Sequence, residues 1–199
     1  MNTLSEIEEA IKGKKIAIIG NSKKVIGKKY PIDQYDVVIR INRAWNLPES
    51  MKNDVGRRLD ILCISGGERK NLENLVSSEF RTIWMARKRR DEISPDIANK
   101  LSFYPIEWWY ELYENIGEFP STGCMAFDLF SRLIGDDGHI TLYGFDFFQS
   151  DNWYNKKKIK NLFLELLGKP VKLHPHSGSK EEEYICNKLS PDNFTIERL

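Results

Sequence analysis

The sequence predicts an α/β fold: one domain whose mainly parallel central sheet is flanked by helices. Three observations carry this. Short apolar runs rich in Val and Ile, such as Ile16-Ala17-Ile18-Ile19 and Val37-Val38-Ile39, alternate with stretches of helical period. Small polar residues stand where an element meets a loop, at Gly20-Asn21-Ser22 and at Ser121-Thr122-Gly123. The 199 residues, 41% hydrophobic and 30% charged, are enough for one substantial core and too few for two. The domain spans 1–199, with its core at about 14–190.

The elements follow in order. Leu4, Ile7 and Ile11 recur at helical spacing, Thr3 with Glu6 fits a capping box, and Gly13 ends the helix. Lys15 to Ile19 reads as a buried strand, and 23–30 as a basic loop. A second strand begins at Val37 and runs through Arg40 to Asn42, a third covers 59–64, and a fourth 81–85. Gly66-Gly67 breaks the chain before a short helix over 68–76. From 94 to 119 the pattern is poor, with the aromatic cluster Trp108-Trp109-Tyr110 and Tyr113. A clear helix spans 123–134, a strand 140–143, and Gly144 stops it. A helix over 158–167, a short strand over 171–173 and a last helix over 179–189 complete the alternation.

Bulk properties exclude several classes. The chain has 30 basic and 29 acidic residues, a net charge of +1, and so lacks the excess of a dedicated nucleic-acid binder. No run approaches the roughly 18 apolar residues of a membrane-spanning helix. No signal-peptide core opens the chain. Cys63, Cys124 and Cys186 are widely spaced and odd in number, which points to free thiols in a reducing cytoplasm.

Four places carry chemistry, each beside a plainer reading. Gly20-Asn21-Ser22 after a strand is either a simple turn or the start of a nucleotide site, because ligands of α/β sheets sit outside the carboxyl ends of strands. It is neither GxGxxG nor a P-loop. Arg40 and Asn42 alternate onto one face of the second strand. Asn42 suits a ribose hydroxyl or phosphate, while Arg40 and Arg43 equally suit ion pairs with Asp36 or Asp54. Ser121 caps the helix that follows, and a capped N-terminus still offers N–H groups and a positive dipole end to an anion. His176 precedes the last helix, where Ser179 and Glu182 look like a capping box and Glu181 falls in the first turn. It is either a solvated loop histidine or a general base. His174 with His176 is a weak zinc pattern. Arg87-Lys88-Arg89-Arg90 and the lysines from 156 to 160 read as solvated faces, or else as attractors of an anionic acceptor or lipid headgroup.

In this order the strings resemble the sialyltransferase family that uses CMP-activated sugars and carries large, small, third and very-small sialylmotifs. Ile18-Ile19-Gly20-Asn21-Ser22, Val38 to Ala44 and Asp54-Val55-Gly56 look like the large motif. Pro120-Ser121-Thr122-Gly123 through Leu142-Tyr143-Gly144-Phe145 looks like the small motif, and His176 with Glu181 like the very-small one. The resemblance implies a GT-A-like (Rossmann-type) single domain and metal-independent, inverting transfer with no cofactor. The donor would be a CMP-sugar and the acceptor a glycan or glycolipid. It places Asn21, Ser22, Asn42 and Arg43 on the donor's phosphate and nucleotide, and Ser121, Thr122 and Gly123 near its carboxylate and ribose. His176 becomes the base, with Gly20, Glu181 and Tyr154 in support, Glu181 orienting the last helix or that histidine.

The departures are specific. The third-motif stretch, Asn152-Trp153-Tyr154-Asn155-Lys156, has no histidine, so Tyr154 or one of the lysines at 156–158 would stand in. The cysteines that pair the large and small motifs in secreted animal members are missing, as is a membrane anchor. Both differences fit a bacterial or viral member in the cytoplasm, either free or at the inner membrane surface. Kdo is an alternative to sialic acid. The acceptor expected is a lipopolysaccharide or capsule precursor, with the aromatic segment 108–113 as its wall or as core. The rivals are a non-catalytic protein that binds CMP or a glycan, and a nucleotide-binding enzyme of other chemistry.

Overall fold

The computed structural model describes residues 3–154 and 176–199. The helix expected over 158–167, the strand over 171–173, the lysines from 156 to 160, Asn155 and His174 lie outside the described residues.

Seven strands form one all-parallel sheet: β1 (Lys15–Ile19), β2 (Val37–Ile41), β3 (Ile61–Ile64), β4 (Arg81–Trp84), β5 (Ser102–Phe103), β6 (His139–Tyr143) and β7 (Phe194–Ile196). Their spatial order is β5-β4-β3-β2-β1-β6-β7. The chain works outward from β1 to β5, then crosses back to lay β6 on the other side of β1. That reversal puts a topological switch point at the carboxyl ends of β1 and β6, where open α/β sheets bind ligands.

The central strands are buried on both faces, as parallel sheets require. Ile16 and Ile18 pack with Ile39 on one side, against α1 (Leu4–Ile11), α5 (Ile106–Ile116) and α6 (Thr122–Leu133). Ala17 and Ile19 face Val38, Val25 and Tyr143 on the other. The two sides of a two-residue alternation thus feed two cores. The capping box of α1 is formed as expected, with the Glu6 amide donating to Thr3 and the Thr3 amide to Glu6.

Several boundaries differ from expectation. β2 ends at Ile41, because Asn42 takes a left-handed φ of 51° and opens a 3-10 turn. Arg40 and Asn42 therefore share no strand face. Gly66 and Gly67 lie inside a 3-10 segment, Gly66–Asn71, that runs into α3 (Leu72–Val76), so they do not break the chain. Asp54-Val55 closes the short helix α2 (Lys52–Val55) before Gly56 turns at φ 71°. The stretch 94–119 is structured: α4 (Pro95–Ala98), β5 and α5 occupy it. In α5, Trp109, Leu112 and Ile116 are buried at helical spacing, and Gly117 ends the helix in the left-handed conformation. The last helix, α7, is Gly178–Lys188 with Ser177 as N-cap and no side-chain cap, so the Ser179–Glu182 capping box does not form. Glu182 contacts Arg198 instead.

Arg40 is the largest correction. Its guanidinium is buried and donates to the carbonyls of Val55 (2.7 Å), Gly56 (3.0 Å) and Arg58 (2.8 Å). Burial lowers its pKa to about 10. It pairs with neither Asp36 nor Asp54, and pins the α2–β3 connection onto β2. Cys63 and Cys124 are buried free thiols and Cys186 is an exposed one.

Candidate active site

At the switch point lies a cavity of about 250 Å³. The loops after β1, β2, β3 and β6 line it, together with the N-terminus of α6 and the start of α7. Gly20, Asn21, Ser22, Asn42, Ser121, Thr122, Gly123, Tyr154, His176 and Glu181 all reach this one cavity.

The β1 loop is set by close approach. The Gly20 amide donates to the Tyr143 carbonyl at 2.7 Å, and a Cβ at Gly20 would collide with the Gly144 carbonyl. Asn21 ties three loops: its Nδ2 donates to the Ile41 carbonyl and its Oδ1 accepts from Trp153 Nε1, both at 3.0 Å. Ser22 Oγ accepts from the Lys24 amide and donates to Asp146 at 3.0 Å. Asn42 Oδ1 accepts from the amide (3.0 Å) and hydroxyl (3.2 Å) of Ser65. Its Nδ2 makes no hydrogen bond among the described residues, and stays available to a ligand. Arg43 does not line the cavity. It pairs with Glu68 at 3.6 Å and lies over the Tyr154 ring, 5.4 Å from its centroid. Burial raises the Tyr154 pKa, so the phenol stays a hydrogen-bonding group.

Ser121 is the N-cap of α6, accepting from the Cys124 amide at 3.1 Å. Its own amide and hydroxyl donate to the two oxygens of Glu181, each at 2.7 Å. Glu181 thus holds Ser121 across 60 residues of sequence and fixes α7 to the front of α6. Burial raises the Glu181 pKa to about 7, and the two Ser121 hydrogen bonds offset part of that rise. The Thr122 and Gly123 amides, in the first turn of α6, have no partner among the described residues, and line the cavity. A Cβ at Gly123 would come within 3.0 Å of the Phe145 ring, so this glycine lets α6 sit on the β6 loop.

His176 Nδ1 lies 2.8 Å from the Phe119 carbonyl. A carbonyl only accepts, so Nδ1 is the donor of this contact. Phe148 stacks on the ring, with centroids 5.5 Å apart. Both Phe147 and Phe148 have positive φ (50° and 66°). A Cβ at Gly178 would strike the Phe147 carbonyl, so α7 starts in contact with this turn.

Sequence reasoning passed over Asp146, Ser150, Asn152 and Ser65, which also line the cavity. The available signal was position: Asp146 and Ser150 follow β6 at the carboxyl edge, beside β1. Asp146 accepts from Ser22 and contacts Ser150. Among the described residues no group of three or more His, Cys, Asp or Glu is placed to hold a metal ion. No helix of the described residues is long and apolar enough to cross a membrane. The basic run 87–90 is only partly a solvated face. Arg90 donates to the Ala86 and Tyr104 carbonyls, and Arg87 packs on aromatic rings.

No family model matches this sequence, and no curated protein matches it. Solved structures do. A mammalian sialyltransferase aligns over 92% of this chain and 68% of its own, with a TM-score of 0.63 and 18% identity. A mammalian sialyltransferase in complex with Gal-β-1-3GalNAc-ortho-nitrophenol aligns over 92% of this chain and 69% of its own, at TM-score 0.63 and 18% identity. The monofunctional α-2,3-sialyltransferase Cst-I from Campylobacter jejuni aligns over 88% of this chain and 70% of its own, at TM-score 0.52 and 17% identity. Sialyltransferase CstII from the same organism, in complex with the substrate analogue CMP-3FNeuAc, aligns over 86% and 77%, at TM-score 0.51 and 15% identity. At these identities the likeness is one of fold: the chain has the GT-A-like α/β fold of the sialyltransferases.

Proposed function

We propose that this chain is a sialyltransferase-type enzyme, a single glycosyltransferase domain. It moves sialic acid, or a related ulosonic acid such as Kdo, from a CMP-sugar to a glycan or glycolipid acceptor. The observation that carries the reading is the tautomer of His176. Its Nδ1–H is held by a backbone carbonyl, so Nε2 is the basic atom of a histidine that lines a cavity at the sheet's switch point.

The chemistry follows from the groups present. Nε2 accepts the proton of the acceptor hydroxyl as that oxygen attacks the anomeric carbon. The bond from that carbon to the phosphate oxygen breaks, and CMP leaves with the bonding pair. Attack opposite the leaving group inverts the anomeric centre. The unpartnered amides of Thr122 and Gly123 suit the sugar carboxylate. Asn42 Nδ2 and the Tyr154 hydroxyl suit the phosphate, the latter in place of the missing third-motif histidine. Asp146, an acid, disfavours phosphate nearby and so turns the uncharged nucleoside toward the β6 loop. Asn21 acts by holding the β1, β2 and post-β6 loops together. The proposal uses no metal and no cofactor. It places the enzyme in the cytoplasm, at the membrane face where surface-glycan precursors such as lipopolysaccharide or capsule are built.

The test is CMP release and sugar transfer from CMP-Neu5Ac and from CMP-Kdo, for wild type and His176→Ala. The expected result is turnover of one donor, reduced by about two to four orders of magnitude in the variant with its fold intact. CMP binding without release from either donor, whatever the acceptor, would support a binding protein instead. Absence of CMP binding would overturn the reading.

A further inference from the structure

We infer that the surface formed by Arg87, α5 and Phe119 is an acceptor subsite selective for an acidic saccharide, one bearing a carboxylate or a phosphate. The inference rests on the proposed transferase reading and adds the acceptor's chemical class to it.

Three observations support it. The first is an aromatic platform left open to solvent. Tyr110, Tyr113 and Phe119 are 46%, 36% and 52% exposed, although each packs on the buried Trp109. Tyr113 lies nearly parallel to Trp109, 8° between planes, and Phe119 is 5.5 Å from Tyr113. Open ring faces held rigidly by a buried neighbour stack well on pyranose rings.

The second is an arginine with no acid. The Arg87 guanidinium sits 4.7 Å from the Trp109 centroid and 5.5 Å from that of Tyr110, and donates to the Tyr110 hydroxyl at 3.0 Å. Its Nε is buried without a hydrogen-bond partner, and it makes no ion pair among the described residues. None of the acids on α5 forms an ion pair with it: Glu111 is paired with Arg132, and the charge of Glu107 acts on Arg90. Lys88, beside it, is exposed. A guanidinium fixed on aromatic rings and lacking a carboxylate offers its remaining terminal N–H groups and its charge to an external anion.

The third is continuity with the proposed base. The Phe119 carbonyl receives His176 Nδ1–H, so the platform begins at the residue that orients the histidine. Arg87 follows β4 at the same carboxyl edge of the sheet. A saccharide whose hydroxyl meets His176 and whose ring lies on Phe119 and Tyr113 extends toward Arg87. A neutral monosaccharide would leave that end empty.

The test compares lactose, 3′-sialyllactose and lactose 6′-phosphate as acceptors, in wild type, Arg87→Met and Phe119→Ala, with whichever CMP-sugar is turned over. Saturation-transfer NMR titration of the same three saccharides reads the surface without turnover. The expected result is a preference for an acidic saccharide over lactose of about tenfold or more, weakened by salt and abolished in Arg87→Met. Which acidic saccharide wins identifies the anion as carboxylate or phosphate. Donor hydrolysis without acceptor stays unchanged in Arg87→Met, and Phe119→Ala weakens all three saccharides together. Equal use or binding of lactose and both acidic sugars, or a preference that survives Arg87→Met, overturns the inference. Failure to bind or turn over any CMP-sugar, with the acidic preference intact by NMR, sinks the transferase reading and leaves the surface standing.

Discussion

Replacing Glu181 by Gln removes the proton whose affinity the fold has altered most usefully. In the folded chain Glu181 is buried and its pKa stands at about 7, against 4.5 for a free glutamate. The folded state therefore binds this proton more tightly than the unfolded chain. Between pH 4.5 and about 7 the folded state carries more protons, so the contribution of this group falls as pH rises and levels off above 7. The full span corresponds to about 3 kcal/mol. Glutamine mimics the protonated form. Its carbonyl accepts from the Ser121 amide and its NH₂ donates to the Ser121 hydroxyl, which still accepts from Cys124. The assay is urea denaturation of both proteins at pH 5 and pH 8. Relative to the variant, wild type should lose about 2–3 kcal/mol between the two. CMP should also bind Glu181→Gln less pH-dependently, since a carboxylate next to Ser121 repels the donor's anions. Parallel pH curves for the two proteins would refute the argument.

Other consequences are equally open to measurement. Arg40→Leu leaves three buried carbonyls without their donor and should cost about 3 kcal/mol or more by denaturation, a loss of stability with no direct role in donor binding. Ser121→Ala removes both the α6 cap and a hydrogen bond to Glu181. It should lower stability by about 1–2 kcal/mol and weaken CMP binding in titration calorimetry. Asn42→Ala puts a Cβ-bearing residue without a polar side chain at φ 51°, which costs about 1 kcal/mol, and should weaken CMP affinity by about tenfold. Transfer should proceed equally in excess EDTA, and a loss restored by a divalent cation would contradict the metal-free chemistry proposed.

The sheet was largely readable because its central strands are β-branched runs closed by glycine or polar residues, and the α6 cap because Ser121 precedes an apolar helix. Other features were obscured for physical reasons. In α5 the buried Trp109, Leu112 and Ile116 are interleaved with Trp108, Tyr110 and Tyr113, so aromatic residues spread around the helix and blur the apolar stripe. β5 and β7 have two and three residues, too short for a period to register. Arg40 looks like an ion-pair partner for Asp36 or Asp54 in a linear string, and only the fold reveals the carbonyls around it. The Glu181–Ser121 pairing joins residues 60 positions apart, beyond any local pattern. Asp146 sits on a turn shaped by two positive-φ phenylalanines, a conformation that no phenylalanine advertises. The small polar residues that line the cavity were legible because they stand at element ends, where anion sites are built, and that signal is local.

The docking of α7 against the Phe147 turn bears on the order in which the cavity is assembled during synthesis. A nascent chain extending past Tyr154 but short of His176 holds six of the seven strands and the loops after β1, β2, β3 and β6 that line the cavity. It lacks Glu181, so the amide and hydroxyl of Ser121 have not found their acceptors, and it lacks His176. Such a chain can reach a largely folded sheet while its cavity still lacks two of its lining residues. Arrival of the last helix then supplies the Glu181 carboxyl to Ser121 and His176 to the Phe119 carbonyl in a single docking event.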